Sequence, residues 1–401
     1  MQPKRILHLH SAFDLGGKEA RACKLMNHFG DAASHVILSA VPDAMGARAA
    51  IDASVAVEFP GDAAPALHGK PAPGRYFSLA RTMQGFDLVL SYNWGSMDGV
   101  MAHRLLSPFI PLPPLIHHED GFNEDEAVRL NWKRNAFRRH ALKGAHALVV
   151  PSVTLEEIAR VVWKQPADKL HRIANGIDIG RYQKPPQPGS FPGLEKRKRE
   201  IVVGTIAGLR AVKNLPRLVR AVAAAGPHVR LAIAGEGPER GVIMAEAARL
   251  GITERLIMPG FLTDPASYVG HFDIFALSSD SEQYPISLVE AMAAGLPAVC
   301  TDVGDVRQMV SAENRRFVIG KTDEAAFAAA IAALASDADL RANIGSANAA
   351  LAAADYGEEH MFARYAGLYG SAMKCAEFAR QIQSHGLAKK TGTAQMRATI
   401  Q

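Results

Sequence analysis

Cysteine is scarce in this chain: Cys23, Cys300 and Cys375 are the only three among 401 residues. Odd in number and far apart, they match neither a disulfide framework nor a metal-binding spacing, which favours a reducing compartment. Long apolar runs are missing as well. No stretch approaches ~18 uninterrupted apolar residues, so a spanning helix is not expected. The opening MQPKRILHLHSAF has a basic start, but His8 and His10 break its apolar run, and it reads as a first strand instead of a secretory segment. Neither sign of charge dominates: 45 Lys and Arg face 40 Asp and Glu, a net charge of +5 with a pI near 9.0. That mild excess admits anionic partners without selecting one. What remains, 48% hydrophobic and 21% charged residues, is the composition of a soluble globular protein long enough for two domains.

Short β-branched runs alternate with alanine-rich helical patterns. RILHLH, SHVILSA, FDLVLSY, PPLIHH and ALVVPS are spaced to leave room for crossover helices, the pattern of a parallel sheet covered on both faces. At 184–200 the alternation breaks into a run rich in proline, glycine and basic residues, which reads as a linker. A second alternation follows in IVVGTIAG, VRLAIAG, RLIMPGF, FDIFALS, PAVCTD and RFVIG. The expected fold is α/β, with two Rossmann-like doubly wound domains at 1–183 and 201–355 facing across a cleft. The helix expected at 356–373 carries Met361, Tyr365, Leu368 and Tyr369 at core spacing and is expected to pack back on the first domain. Residues 376–401 read as a polar, frayed tail.

Six constellations carry chemistry. In SEQYPISLVEAMAAGLP, Glu282 and Glu290 bracket a helix start marked by Pro285. The bland account makes Ser287 and Glu290 a capping box and Glu282 a loop acid. The functional account notes that free N–H groups at a helix start hold phosphate, while flanking carboxylates accept hydroxyls. That is the chemistry of a nucleotide sugar. Arg210 and Lys213 follow the strand IVVGTIA in a loop where cations can meet a diphosphate, or merely be solvated. Gly235 and Gly237 form half of a dinucleotide fingerprint that Pro238 and Glu239 break, which speaks against a dehydrogenase; the pair reads better as a tight turn that brings backbone to a ligand, here the donor. Gly16 and Gly17 follow the first strand and permit close approach of backbone to a ligand. His117, His118, Glu119 and Asp120 end a strand and suit proton handling or hydroxyl contacts; a metal site is the competing reading. The segment 128–143 has six basic residues, no acid, and Trp132 and Phe137 between them. It is either a solvated helix face or a contact for an anionic membrane or acceptor. Asp337 and Asp339 imitate a metal–nucleotide D-x-D motif but sit where aspartate commonly caps helices.

Together these pieces resemble the retaining glycosyltransferases of family 4, which have the GT-B fold. The resemblance rests on E-x7-E leading into EAMA-x-G-x-P, here EQYPISLVEAMAAGLPAV followed by TDVG, and on GGKEA, VVPS, ANGID, GEGP and GFLTD. It implies that Glu282 holds hydroxyls of the donor sugar and Glu290 those of the ribose. Backbone groups at Pro285, Ile286, Ser287 and Leu288 would meet the diphosphate, and Phe261 and Leu262 would edge the base. Arg210 and Lys213 would neutralise the leaving group without a metal, and Gly16 and Gly17 would close the site. Two departures stand out: arginine is at 210 instead of directly after the loop glycine, and the usual H-x-x-H places Asp120 where its second histidine would be. His117, His118 and Asp120 are therefore all candidates to face the reacting centre.

The implied protein is a transferase that needs no cofactor or metal and takes a nucleotide-diphosphate sugar to a glycan or lipid-linked acceptor in envelope, exopolysaccharide or lipopolysaccharide synthesis. Nucleic acid is not an expected partner. The expected location is cytoplasmic, with peripheral attachment to the inner face of the membrane through 128–143. A nucleotide-sugar epimerase of the same architecture and a non-catalytic nucleotide-sugar binder are the rival readings.

Overall fold

A computed structural model describes residues 2–14, 16–67, 69–122, 126 and 130–382. The chain divides into two units, one of Met1–Ala174 with Met361–Gln401 and the other of Asn175–His360.

The first unit is built on a seven-stranded parallel sheet. Its strands are β1 (Lys4–His10), β2 (Ala33–Ser39), β3 (Val57–Glu58), β4 (Leu88–Tyr92), β5 (Leu115–His118), β6 (Ala147–Val150) and β7 (Leu170–Arg172), in the order β3-β2-β1-β4-β5-β6-β7. The short β3 and β7 lack a β-branched run and were not legible in the sequence. Alternation along β1 assigns its faces. Leu7 and Leu9 enter a core with helices Pro73–Met83 and Met97–Leu106. Ile6 enters the opposite core with Gly17–Phe29 and with Met361, Tyr365 and Tyr369 of the helix Glu358–Ala372. Residues 376–382, expected to fray, are helical instead, because Phe378 and Ile382 are buried in that same core. Residues 383–401 lie outside the described residues.

The second unit carries six parallel strands: β8 (Ile201–Ile206), β9 (Val229–Ala234), β10 (Leu256–Gly260), β11 (Ile274–Leu277), β12 (Ala298–Thr301) and β13 (Val318–Ile319), ordered β10-β9-β8-β11-β12-β13. Helices Leu215–Ala224 and Glu324–Ser336 cover one face, and Ile286–Ala293 the other. The unit begins earlier than the expected boundary. Ile177 bridges to Gly357, and Phe191, inside the supposed 184–200 linker, is buried against Tyr268 and Phe272. One large apolar side chain thus anchors a segment whose prolines and glycines suggest a spacer.

Candidate functional site

In the second unit, the loops after β8 and β11 are stapled together at the carboxyl ends of the strands. Asp280 donates its N–H to Val212 O (2.8 Å), and Ser278 Oγ donates to Lys213 O (2.9 Å). Asn214, in the left-handed region at φ 42°, donates to the Asp280 carboxylate, and Arg217 Nη1 donates to Ser278 O. This lacing brings Lys213 to Glu282: Nζ lies 2.5 Å from Oε1, which also accepts Ser279 Oγ at 2.6 Å. The pair is largely buried, at 17% and 10% side-chain exposure, so its attraction is less screened than that of a surface pair. Gly304 of TDVG sits at φ 53° against the Glu282 backbone, where a Cβ would lie 2.2 Å from the Glu282 carbonyl oxygen. A glycine is required there, and the sequence showed only that one was present.

The helix Ile286–Ala293 follows directly. Its N-cap is Pro285, with no side-chain cap. Ser287 and Glu290 therefore do not form a capping box, because both lie inside the helix. The helix start keeps its positive end and its N–H groups for an anion. Glu290, one turn on, accepts a hydrogen bond from Tyr182 Oη at 2.8 Å. Burial, together with the Glu290 carboxylate, pushes the Tyr182 phenol well above its ordinary range. Tyr182 and Ser279 were both missed in the sequence. Ser279 lies in SSD at a strand's carboxyl end, a place that could have flagged it; no local signal marks Tyr182.

Arg210 is exposed and makes no side-chain hydrogen bond or ion pair among the described residues. Gly235 and Gly237, expected to approach a donor, approach protein backbone instead. At φ 152° and 153°, their Cβ atoms would fall 1.9 Å from Ala207 O and 2.5 Å from Leu209 O. They let the β9 loop brace the β8 loop that carries Arg210, with Leu209 donating its N–H to Glu236 O (2.9 Å). Phe261 is 68% exposed after β10, while Leu262 leans on the core beside the helix Ile286–Ala293. Asp337 accepts the Leu340 N–H as a helix cap, as its setting implied.

The first unit treats its candidates differently. His117 and His118 are both fully enclosed, because successive residues of β5 point to opposite faces and both faces are covered. His117 Nδ1 meets Ser91 Oγ at 2.9 Å and its other nitrogen lies 3.7 Å from Glu119. His118 bonds Tyr369 Oη at 2.9 Å and Ser91 O at 3.2 Å, and burial holds its pKa well below the ordinary value. Neither ring is placed to meet a ligand. Asp120 is the partly exposed member of the run; it forms a bidentate pair with Arg21 and accepts nothing from the histidines. Gly16 is the extended N-cap of Gly17–Phe29, and a Cβ there would come 2.9 Å from Glu19 Oε2; Gly17 faces open space. In the basic segment, Arg138 is buried. It pairs with Glu126 through both Nη atoms (3.1 Å each) and with Glu119 through Nε (3.3 Å), among Trp94, Phe122 and Trp163. Arg134 also pairs with Glu126, and residues 128 and 129 lie outside the described residues. Lys133, Arg139, Lys143 and Trp132 remain on the exposed side. Among the described residues, no helix is long and apolar enough to cross a membrane.

Comparison with known proteins bears on the family and the fold. Residues 6–181 match the model of Glycosyltransferase Family 4, and residues 187–350 that of Glycosyl transferases group 1. The chain is 30% identical over 187 residues to a putative glycosyltransferase, EpsF, of Bacillus subtilis (43% of this chain, 47% of the relative). It is 24% identical over 238 residues to the alpha-D-kanosaminyltransferase of Streptomyces kanamyceticus (58% and 62%). The chain thus spans about half to three fifths of the length of these curated relatives. Among solved structures, Anabaena HepE in complex with UDP superposes with a TM-score of 0.75 at 20% identity, over 92% of this chain and all of that one. This shows that the two parallel-sheet units are those of the GT-B fold. By both family models, which together cover most of its length, the chain belongs to glycosyltransferase family 4.

Proposed function

We propose that the chain transfers a sugar from a nucleotide diphosphate to a glycan or lipid-linked acceptor, with retention of configuration and without a metal, in cell-envelope or extracellular polysaccharide synthesis. One observation carries this reading. Lys213, Glu282 and the uncapped start of Ile286–Ala293 belong to one laced cluster, on segments before and after β11 and beside Arg210, which has no side-chain partner among the described residues. Cations and a helix dipole suit a departing diphosphate, and carboxylates suit sugar hydroxyls. In this reading Glu282 holds the donor sugar, and Lys213 exchanges part of its contact with Glu282 for phosphate when the donor enters. The bond between the sugar's anomeric carbon and the β-phosphate oxygen breaks. The acceptor oxygen bonds that carbon on the same face, and its proton passes to the departing phosphate. Glu290 with Tyr182 would hold the ribose.

The structural neighbour's bound UDP makes uracil the first base to try. A thermal-shift screen of UDP-, GDP- and ADP-sugars, with and without Mg²⁺, should show stabilisation by one base and no added gain from the metal. No shift with any nucleotide, or a shift only with metal, contradicts the corresponding part. Product analysis then separates transfer from epimerisation, because an epimerase needs no acceptor and gives the epimeric nucleotide sugar or, with water, the free epimeric sugar and the nucleotide. Peripheral attachment would now rest on Trp132, Lys133, Arg139 and Lys143. Neutralising these three cations together should abolish sedimentation with anionic vesicles, and unchanged sedimentation removes that helix from the proposal.

A further inference from the structure

A cavity of about 460 Å³ opens in the first unit, lined by Ser11, Ala40, Trp94, Gly95, Asp98 and Phe137 among others. Its volume lies in the range of small-molecule sites. Its position follows from topology. Ser11 follows β1, Ala40 follows β2 and Trp94 lies two residues beyond β4, so the cavity sits outside the carboxyl ends of these three strands. The strand order reverses between β1 and β4, and open α/β sheets bind ligands at such a reversal.

The walls are chemically mixed. Trp94 and Phe137 form an aromatic side, edge to face with centroids 5.6 Å apart. Trp94 is presented by Asn93, a left-handed residue at φ 53° whose side chain accepts the Asp120 N–H. Gly95 lets this turn close on Ser11, since a Cβ would lie 2.0 Å from Ser11 Cβ. Opposite in character is Asp98, whose side chain is 21% exposed. An acid in the first turn of a helix needs no ligand by itself, but this one is held in a fixed orientation. Arg75 Nη2 donates to Oδ2 at 2.6 Å and Tyr76 Oη to Oδ1 at 3.2 Å. The same guanidinium donates to the carbonyls of Leu67 (3.2 Å) and Gly69 (3.1 Å), tying the cavity's Gly69 rim to its carboxylate.

We infer that this cavity binds an uncharged saccharide ring, the apolar face of the sugar lying on the Trp94–Phe137 side and its hydroxyls donating to Asp98 and exchanging hydrogen bonds with Ser11. An aromatic surface takes the C–H face of a pyranose, and a carboxylate with remaining lone pairs takes hydroxyls. A nucleotide or sugar phosphate fits poorly. Among the described residues that line the cavity there is no cation. Arg75 behind Asp98 is spent on it and on backbone carbonyls, Arg134 and Arg138 over the Trp94 ring are paired with Glu126, and the Asp98 carboxylate repels an anion. The pocket's role as acceptor site rests on the transferase reading above; its ligand chemistry does not.

The test uses the full chain and ligand-observed saturation-transfer NMR with methyl α-glucoside, methyl α-galactoside and methyl N-acetylglucosaminide, set against glucuronate and glucose 6-phosphate. At least one neutral glycoside should show transfer, and the charged sugars should show less. Asp98→Asn and the cavity-filling Ala40→Phe should each weaken the signal at least about five-fold, with UDP binding by calorimetry unchanged. Tryptophan emission checks that the first unit of each variant is folded, because Trp94, Trp132 and Trp163 all belong to it. If Ala40→Phe unfolds, the isosteric Asp98→Asn decides. The inference is overturned if no neutral glycoside shows transfer, if the charged sugars bind better, or if Asp98→Asn binds like the parent. Absence of UDP binding in the parent chain would count against the donor reading alone, since the glycoside signal is read independently of it.

Discussion

Lys213 and Ser279 both donate to Oε1 of Glu282, so this oxygen adds a side-chain link to the hydrogen bonds that already join the β8 and β11 loops. Under the proposed function, Lys213→Ala removes a cation from the developing charge and should lower kcat by about 10²–10³-fold. Glu282→Gln should act mainly on the donor sugar, and steady-state kinetics with the identified donor would separate the two. Full turnover in both variants would refute the site. A different residue-scale expectation concerns Gly235. An alanine there needs space occupied by Ala207 O and a φ of 152° that side chains rarely adopt. Gly235→Ala should destabilise the second unit by roughly 1–3 kcal/mol and disturb the Arg210 loop, read as a lower denaturation midpoint with weaker nucleotide binding. The carboxylates, the basic loop and the glycines were legible because each is a residue type in a strand-to-helix loop. Tyr182 was not, because its link to Glu290 spans 108 positions in sequence and depends on how the chain folds back.

At the scale of elements, the helix Ile286–Ala293 and the helix Trp132–Ala141 show two ways a sequence pattern meets its surroundings. S-x-x-E reads as a cap, yet the helix begins at Ile286, so Ser287 and Glu290 both fall within it and Glu290 turns to Tyr182. Tyr182→Phe should raise KM for the nucleotide donor several-fold while leaving kcat nearly unchanged if Glu290 serves ribose binding; unchanged KM would argue that the contact is only structural. The basic helix reads as one cationic face, but helical periodicity turns Arg138 inward to Glu119 and Glu126. Removing one partner of a buried pair leaves a charge without compensation, so Arg138→Ala should cost the first unit roughly 3–5 kcal/mol. Denaturation followed by tryptophan emission is a direct gauge, since Trp94 and Trp163 flank the guanidinium.

Across the whole molecule, the two units differ in what their sheets bury. The first unit encloses a polar ladder: His8 meets His35 at 2.9 Å and Tyr92 Oη at 3.1 Å, His10 stacks on Tyr92 at 4.1 Å, and His118 reaches Tyr369. Burial holds His8, His10 and His118 well below the ordinary pKa and brings His35 down to about 3. These rings are neutral when folded and bind protons near pH 6.5 when unfolded. The unfolded chain therefore takes up more protons as pH falls, and the stability is present above about pH 6.5 and lost below it. Each such histidine contributes a slope of about 1.4 kcal/mol per pH unit. The tryptophan-monitored midpoint should accordingly fall between pH 7.5 and 5, well before carboxylates titrate, and a flat profile over that range would contradict the burial of these rings.

The sequence by itself determined the two-fold α/β alternation, most of the strands and the donor-side candidates, because hydrophobic periodicity and loop residue types are local properties. It also determined the family, through a motif whose residues lie close together. Tertiary structure alone decided which of those candidates are open to a ligand. His117 and His118 looked available at a strand's end and are sealed by helices far along the chain, whereas Asp98, Ser11 and Trp94 carry no shared motif and meet around one cavity. It also decided that Phe191 and Phe378 anchor segments whose composition suggests a linker and a tail. In each case burial depends on what packs against a residue from distant parts of the chain, and a local pattern does not record that partner.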